Sequence, residues 1–121
     1  MPEPKRARSY RWEDVQQDRP MDKVVRKRIS GDRVMIYSVL LEQGCFVPTH
    51  AHENEQIAML MSGRVRFGIG PDGPEQETLV LEGGEVLHLP SNVPHCAEAL
   101  EDSHVLDVFS PVSEETGVDR T

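Results

Sequence analysis

Only two cysteines, Cys45 and Cys96, occur in the chain, and they stand far apart. Two distant thiols cannot build the disulfide framework of a small secreted domain and suit a reducing compartment, so both are expected to be reduced. Long apolar runs are also missing. No segment approaches the roughly 20 apolar residues that cross a bilayer, and residues 1–11 lack the apolar stretch of a secretion signal. The expectation is a soluble cytoplasmic protein with no membrane partner. Nor is there an excess of positive charge: the formal net charge of -8 repels a phosphate backbone, and no basic stripe with interleaved aromatics offsets it. Nucleic acid is therefore not an expected partner, and the basic clusters at 5–11 and 23–33 read as a solvated arm and edge-strand charges.

Helical periodicity is absent as well. No 3.6-residue apolar pattern outlasts two turns, and no internal repeat or long low-complexity segment interrupts the chain. What is present is a series of short β-branched, aromatic and aliphatic runs at 33–42, 56–61, 65–69, 77–81, 86–89, 95–99 and 105–109. The first of these reads as a strand buried on both faces. Between the runs stand turn signals, Ser62-Gly63, Gly70-Pro-Asp-Gly-Pro74, Glu82-Gly-Gly84 and Pro90-Ser-Asn-Val-Pro94. Strands and turns at this spacing predict an all-β sandwich or barrel. At 121 residues the chain holds one domain, since a second core needs about another hundred residues. A chain of this length folds without a metal staple, which leaves any bound metal to function. Residues 1–20 read as an N-terminal arm docked by Trp12, 21–112 as the barrel and 113–121 as a flexible C-terminal tail.

The histidines are spaced for metal binding. In His50-Ala-His52 two imidazoles in an extended stretch project to one side about 7 Å apart, close enough to converge on one ion. Gln56 adds an amide oxygen from the next strand, on the even-numbered face that it shares with Ala58 and Leu60. His95 comes from a different hairpin, after the Pro-rich turn. His88 and His104 read as structural or surface residues. Period two also puts Val105, Asp107 and Phe109 on one face of the last strand.

Gly44-x5-His50-x-His52-x3-Gln56-x6-Gly63 resembles the first cupin motif, and Gly84-x5-Pro90-x-Asn92-x2-His95 resembles the second. The resemblance implies a single-domain all-β cupin jelly-roll barrel. Family members usually carry Glu where Gln56 stands and Gly where Asn92 stands. Asn also tolerates a left-handed backbone, so the second change is mild. Gln56 matters more: three imidazoles and one amide leave a divalent charge uncompensated, which favours Lewis-acid chemistry over a raised oxidation state.

Within the cupins, His50-Ala-His-Glu-Asn-Glu-Gln56 with Ser62-Gly63, and Leu100-Glu-Asp-Ser-His-Val-Leu-Asp-Val-Phe-Ser-Pro111, resemble the small pectin-degradation cupins that open 4,5-unsaturated monouronates. The resemblance covers 12–111. It implies one divalent ion, Ni, Mn, Fe, Co or Zn, on His50, His52, Gln56 and His95. Asp107 and Phe109 would line the substrate pocket, with Asp107 catalytic. Ala58 is assigned with Phe109 to substrate contact. The implied partner is a small molecule, a sugar acid. That family places Arg shortly after the Ser-Pro, where this chain reads Val112-Ser113-Glu114-Glu115. Arg26, Arg28 and Arg33 are the cations left to take that place.

Three function classes stay open at this point: a metal-dependent isomerase or lyase acting on a hydroxy-carbonyl sugar acid, a metal-dependent oxygenase, and a non-catalytic ligand-binding cupin. Ile57, Met59 and Met61, with Leu106 and Val108, form an apolar face turned away from the metal side. An outward apolar face predicts a homodimer.

Overall fold

The computed structural model describes residues 5–113. Ten strands follow a 3-10 turn at Trp12–Asp14: β1 Gln17–Asp18, β2 Val24–Ser30, β3 Met35–Leu41, β4 Phe46–His50, β5 Glu55–Ser62, β6 Arg64–Ile69, β7 Glu77–Glu82, β8 Val86–Leu89, β9 His95–Ala99 and β10 Ser103–Ser110. They form a six-stranded sheet, β1-β2-β3-β10-β5-β8, and a four-stranded sheet, β4-β9-β6-β7. Every pairing is antiparallel. The two sheets face one another around a core that includes Val24, Met35, Tyr37, Val39, Leu41, Leu60, Val65 and Phe67. This is the expected all-β fold. The expected flexible tail lies, apart from Ser113, outside the described residues, as do residues 1–4 of the expected arm.

One strand differs from its expectation. Along β3 burial alternates: Met35, Tyr37, Val39 and Leu41 point into the core, while Leu40 is 52% exposed on the other face. The outward Ile36 and Leu40 are apolar although half-covered or exposed, which is why the run reads as buried on both faces. Two strands gave little signal beforehand. β1 has two residues, and β2 hides its alternation behind Arg26, Lys27 and Arg28, yet Val24 and Arg26 are both buried.

Turn chemistry fixes the sheet edges. Asn92 adopts φ 65, the left-handed conformation for which the cupin motif usually carries Gly. Gly63 turns β5 into β6 at φ +91, and a Cβ there would meet Asp102 O and Ser103 Cα at 2.6 Å. Gly84 has a similar φ of +95 with open space around it. Gly63→Ala is therefore expected to lower unfolding free energy by about 2 kcal/mol or more, and Gly84→Ala by about 1 kcal/mol. Urea denaturation of the two variants checks this; equal losses would show that backbone conformation, not the contact with β10, sets the cost.

Candidate metal centre

β4 and β9 are neighbours in the smaller sheet, and the pairing sets His50 directly across from His95. The chain leaves β4 at His50, so His52 lies past the strand end, in the loop that carries the chain over to β5 in the other sheet. The two imidazoles therefore converge through a bend rather than along one strand face. Ring centroids stand 4.3 Å apart for His50 and His95, 5.1 Å for His52 and His95, and 5.5 Å for His50 and His52. One ligand atom from each of the three lies within 4.8 Å of the others.

Backbone carbonyls fix the tautomer of all three rings. His50 Nδ1 donates to Pro48 O at 2.8 Å, His52 Nδ1 to Asn54 O at 2.9 Å, and His95 Nδ1 to Val93 O at 2.9 Å. A carbonyl oxygen only accepts, so Nδ1 carries the hydrogen and each neutral ring presents a lone pair on Nε2. His52 Nε2 is buried with no hydrogen-bond partner among the described residues. An orphaned buried acceptor is costly unless something binds it. Burial, joined by the charges of His50 and His52, lowers the pKa of His95 to about 4, so the ring is neutral near pH 7. Imidazoles converging on one point, each with Nδ1 bonded to a backbone carbonyl and with an unpartnered nitrogen among them, fit a divalent transition metal.

The larger sheet supplies the remaining polar groups. Gln56 and Asp107 are diagonal neighbours on the inner face of β5 and β10, and Gln56 Nε2 donates to Asp107 Oδ1 at 2.9 Å. The carboxylate only accepts, so the amide is turned with NH2 toward Asp107, and Oε1 is the atom left to act as a donor to metal. Burial pushes the Asp107 carboxyl up to about 6, and the Gln56 hydrogen bond pulls it back down. Phe109 meets His52 edge-on at 5.6 Å and Tyr37 at 5.8 Å.

These groups share one cavity of about 70 Å³, with His50, His52, Gln56, His95, Asp107 and Phe109 in its lining. Ala58 is placed elsewhere: fully buried, paired across from Asp107, it does not belong to the cavity lining. His88 bonds Glu55 and His104 bonds Ser38, both away from the site. The two cysteines are unpaired with one another, and burial raises the Cys45 thiol pKa.

The family model of the cupin domain matches residues 37–109. The chain belongs to the cupin family. No curated protein matches this cupin in sequence. Among solved structures it is similar to KdgF from Halomonas sp., at 25% identity over 90% of this chain and 97% of that one, with a TM-score of 0.80. An RmlC-like cupin from Shewanella frigidimarina shares 20% identity over 84% and 88% of the two chains, with a TM-score of 0.76. Oxalate decarboxylase from Bacillus subtilis shares 19% identity and a TM-score of 0.76, but this cupin spans only 30% of that chain, and the likeness is one of fold.

Two residues of the site escape the motifs. Asn54 is buried; its carbonyl orients His52, and its Nδ2 donates to Pro111 O, tying the ligand loop to the end of β10. Arg26 is buried on β2 and lines the cavity. Its sequence signal is the two-residue spacing from the core residue Val24. Of the other cations considered, Arg33 is exposed, and Arg28 lies outside the cavity with its Nε bonded to Ser30.

Proposed function

We propose that this cupin is a metal-dependent enzyme that opens the ring of a 4,5-unsaturated uronate or a related hydroxy-carbonyl sugar acid. The carrying observation is the Asp107 carboxylate, held by Gln56 in the same cavity as three imidazoles whose tautomers are fixed for metal binding. The motif resemblance to the pectin-degradation cupins and the likeness to the Halomonas KdgF support the same reading.

His50, His52 and His95 through Nε2, with Gln56 Oε1, would hold one ion of Ni, Mn, Fe, Co or Zn. Bound there, such an ion supplies a Lewis acid that acidifies a ligand hydroxyl and polarises a developing carbonyl. Asp107 acts as base and then as acid: it takes the proton of the anomeric hydroxyl while the bond from C1 to the ring oxygen breaks, then delivers that proton to C4 of the enol. C1 becomes an aldehyde and C5 a ketone, with no co-reactant consumed. A carboxyl pKa near 6 suits a group that both takes and returns a proton near neutral pH. Phe109, wedged between His52 and Tyr37, walls the cavity and limits water beside the reacting carbon.

The assay is loss of the conjugated double-bond absorbance when metal-replete protein meets freshly lyase-generated monouronate. A rate above the uncatalysed one supports the proposal; an equal rate overturns it.

The assembly proposed is a homodimer packed through the outer face of the six-stranded sheet. Leu40, Ile57, Met61 and Val86 are 52, 40, 52 and 60% exposed there, and Leu106 and Val108 of β10 lie between them half-covered. Light scattering at micromolar concentration is expected to give twice the 13.6 kDa chain mass, and the chain mass itself would contradict the dimer.

A further inference from the structure

His52 differs from the other two imidazoles in where its acceptor comes from. His50 and His95 bond carbonyls two residues before them: Pro48 O within β4, and Val93 O in the turn that Val93 N closes on Pro90 O at 3.3 Å. His52 instead bonds Asn54 O, two residues after it, in the irregular run between β4 and β5. Ala51 and Glu53 in that run are exposed, yet Asn54 is only 4% exposed. The side chain of Asn54 therefore has something to do inside the protein.

A buried primary amide is costly unless it is paired. Asn54 Nδ2 donates to Pro111 O, just past the end of β10, and stands 3.3 Å from Ser113 Oγ. A carbonyl only accepts, so the NH2 end of the amide faces Pro111. Asn54 is thus held at both ends, its backbone oxygen on His52 Nδ1 and its side chain on the chain that leaves β10. The backbone of His52 is anchored separately, its carbonyl accepting from Asn92 N at 2.8 Å in the turn before His95. What aims the ring is the bond to Asn54 O and the edge-on contact with Phe109 of β10 at 5.6 Å. A hydrogen bond to the far nitrogen of a metal-binding imidazole fixes its tautomer and orientation, and its loss typically costs about 10- to 100-fold in metal affinity.

We infer that Asn54 is a positioning residue for the metal centre: its side-chain bond to Pro111 O holds its own carbonyl on His52 Nδ1, and so couples metal affinity to the end of β10, the strand that carries Asp107 and Phe109. The inference rests on the metal-binding part of the proposed function and not on the ring-opening. Zinc alone is the probe, with full-length protein. Competition against a chromophoric chelator reads the zinc Kd, and long-range nitrogen–proton NMR of the stripped protein reads where each ring hydrogen sits. Asn54→Ala removes the donor, and Asn54→Leu removes it while keeping the volume, which separates the bond from the packing. Both variants are expected to bind one equivalent of zinc about 10- to 100-fold more weakly than the wild type. In both, the His52 ring hydrogen is expected to spread over Nδ1 and Nε2, while His50 and His95 keep theirs on Nδ1.

Stripped variants that melt lower but keep the wild-type zinc affinity and His52 signals would make Asn54 a structural residue and overturn the inference. Affinity lost with all three rings disturbed alike overturns it too, since that result is a general loosening of the barrel. If neither variant folds, the wild type decides. Coupling is reciprocal, so zinc is expected to slow solvent exchange of the Asn54 side-chain amide hydrogens several-fold, and exchange indifferent to zinc overturns the inference. A wild type that binds no zinc sinks the inference together with the metal site; one that binds zinc but leaves unsaturated uronate intact sinks the ring-opening and leaves the inference standing.

Discussion

Chelation of the purified protein is expected to lower its melting temperature by roughly 12–20 °C, and a single equivalent of Ni, Mn, Fe, Co or Zn to restore it. The size follows from linkage. His50 and His95 come from adjacent strands of one sheet, His52 from the loop between sheets and Gln56 from the other sheet, so the donors converge only in the folded chain. A ligand at about a thousandfold its Kd that ignores the unfolded state adds about 4 kcal/mol to stability. His52→Ala is expected to abolish the shift while leaving the melt of the stripped protein nearly unchanged. In that state the wild type already carries an unpartnered Nε2 at this position, so its removal offsets the loss of the bond to Asn54. Differential scanning fluorimetry with and without metal measures both. A melt indifferent to chelation, or a His52→Ala variant that still responds to metal, contradicts the site.

Asp107→Asn is expected to retain metal and lose roughly 10²–10⁴ in turnover of the unsaturated uronate, the usual span for one acid–base group. Asn keeps an acceptor for Gln56 Nε2 but cannot carry the proton. The same variant has a second signature in the stripped protein. Asp107 has a folded pKa raised from 3.8 to about 6, so its contribution to stability is complete below pH 3.8 and is lost as pH rises through 6. His95 has a folded pKa lowered from 6.5 to about 4, so its contribution is complete above pH 6.5 and is lost as pH falls toward 4. The two limbs oppose one another in the wild type. Removing the carboxylate leaves the histidine limb alone: stripped Asp107→Asn should gain on the order of 2 kcal/mol over stripped wild type at pH 7.5, and its stability should rise steadily from pH 4 to 6.5. Urea melts across that range check the sign. Normal turnover in Asp107→Asn would make Asp107 a wall of the cavity and nothing more.

The histidine cluster was legible because its signal is local: His50, His52 and His95 fall at fixed distances from Gly44, Gly84 and Pro90, and period two then places Gln56 and Asp107 on inner faces. Period two was less reliable where both faces of a strand are apolar. Ile36 and Leu40 look like core in the sequence, but the outer face of β3 is open. Arg26, one of three candidate cations, could not be placed for the opposite reason. Three consecutive cations in β2 suggest solvent on both faces, whereas the fold buries Arg26 over the Tyr37 ring and bonds it to Asp18 on β1. Asn54 carries no pattern at all, since its role lies in one carbonyl and in a bond to Pro111, 57 residues away.

The locking of three imidazoles with Nε2 bare for one metal ion is tested most directly by long-range nitrogen–proton NMR of the histidine rings in stripped protein at pH 7.5, followed by zinc titration. The expected result is that His50, His52 and His95 carry their ring hydrogen on Nδ1, and that their Nε2 resonances alone move and saturate at one equivalent, while those of His88 and His104 stay in place. Nε2-protonated rings in the stripped state, or five histidines unmoved at one equivalent of zinc, would contradict it.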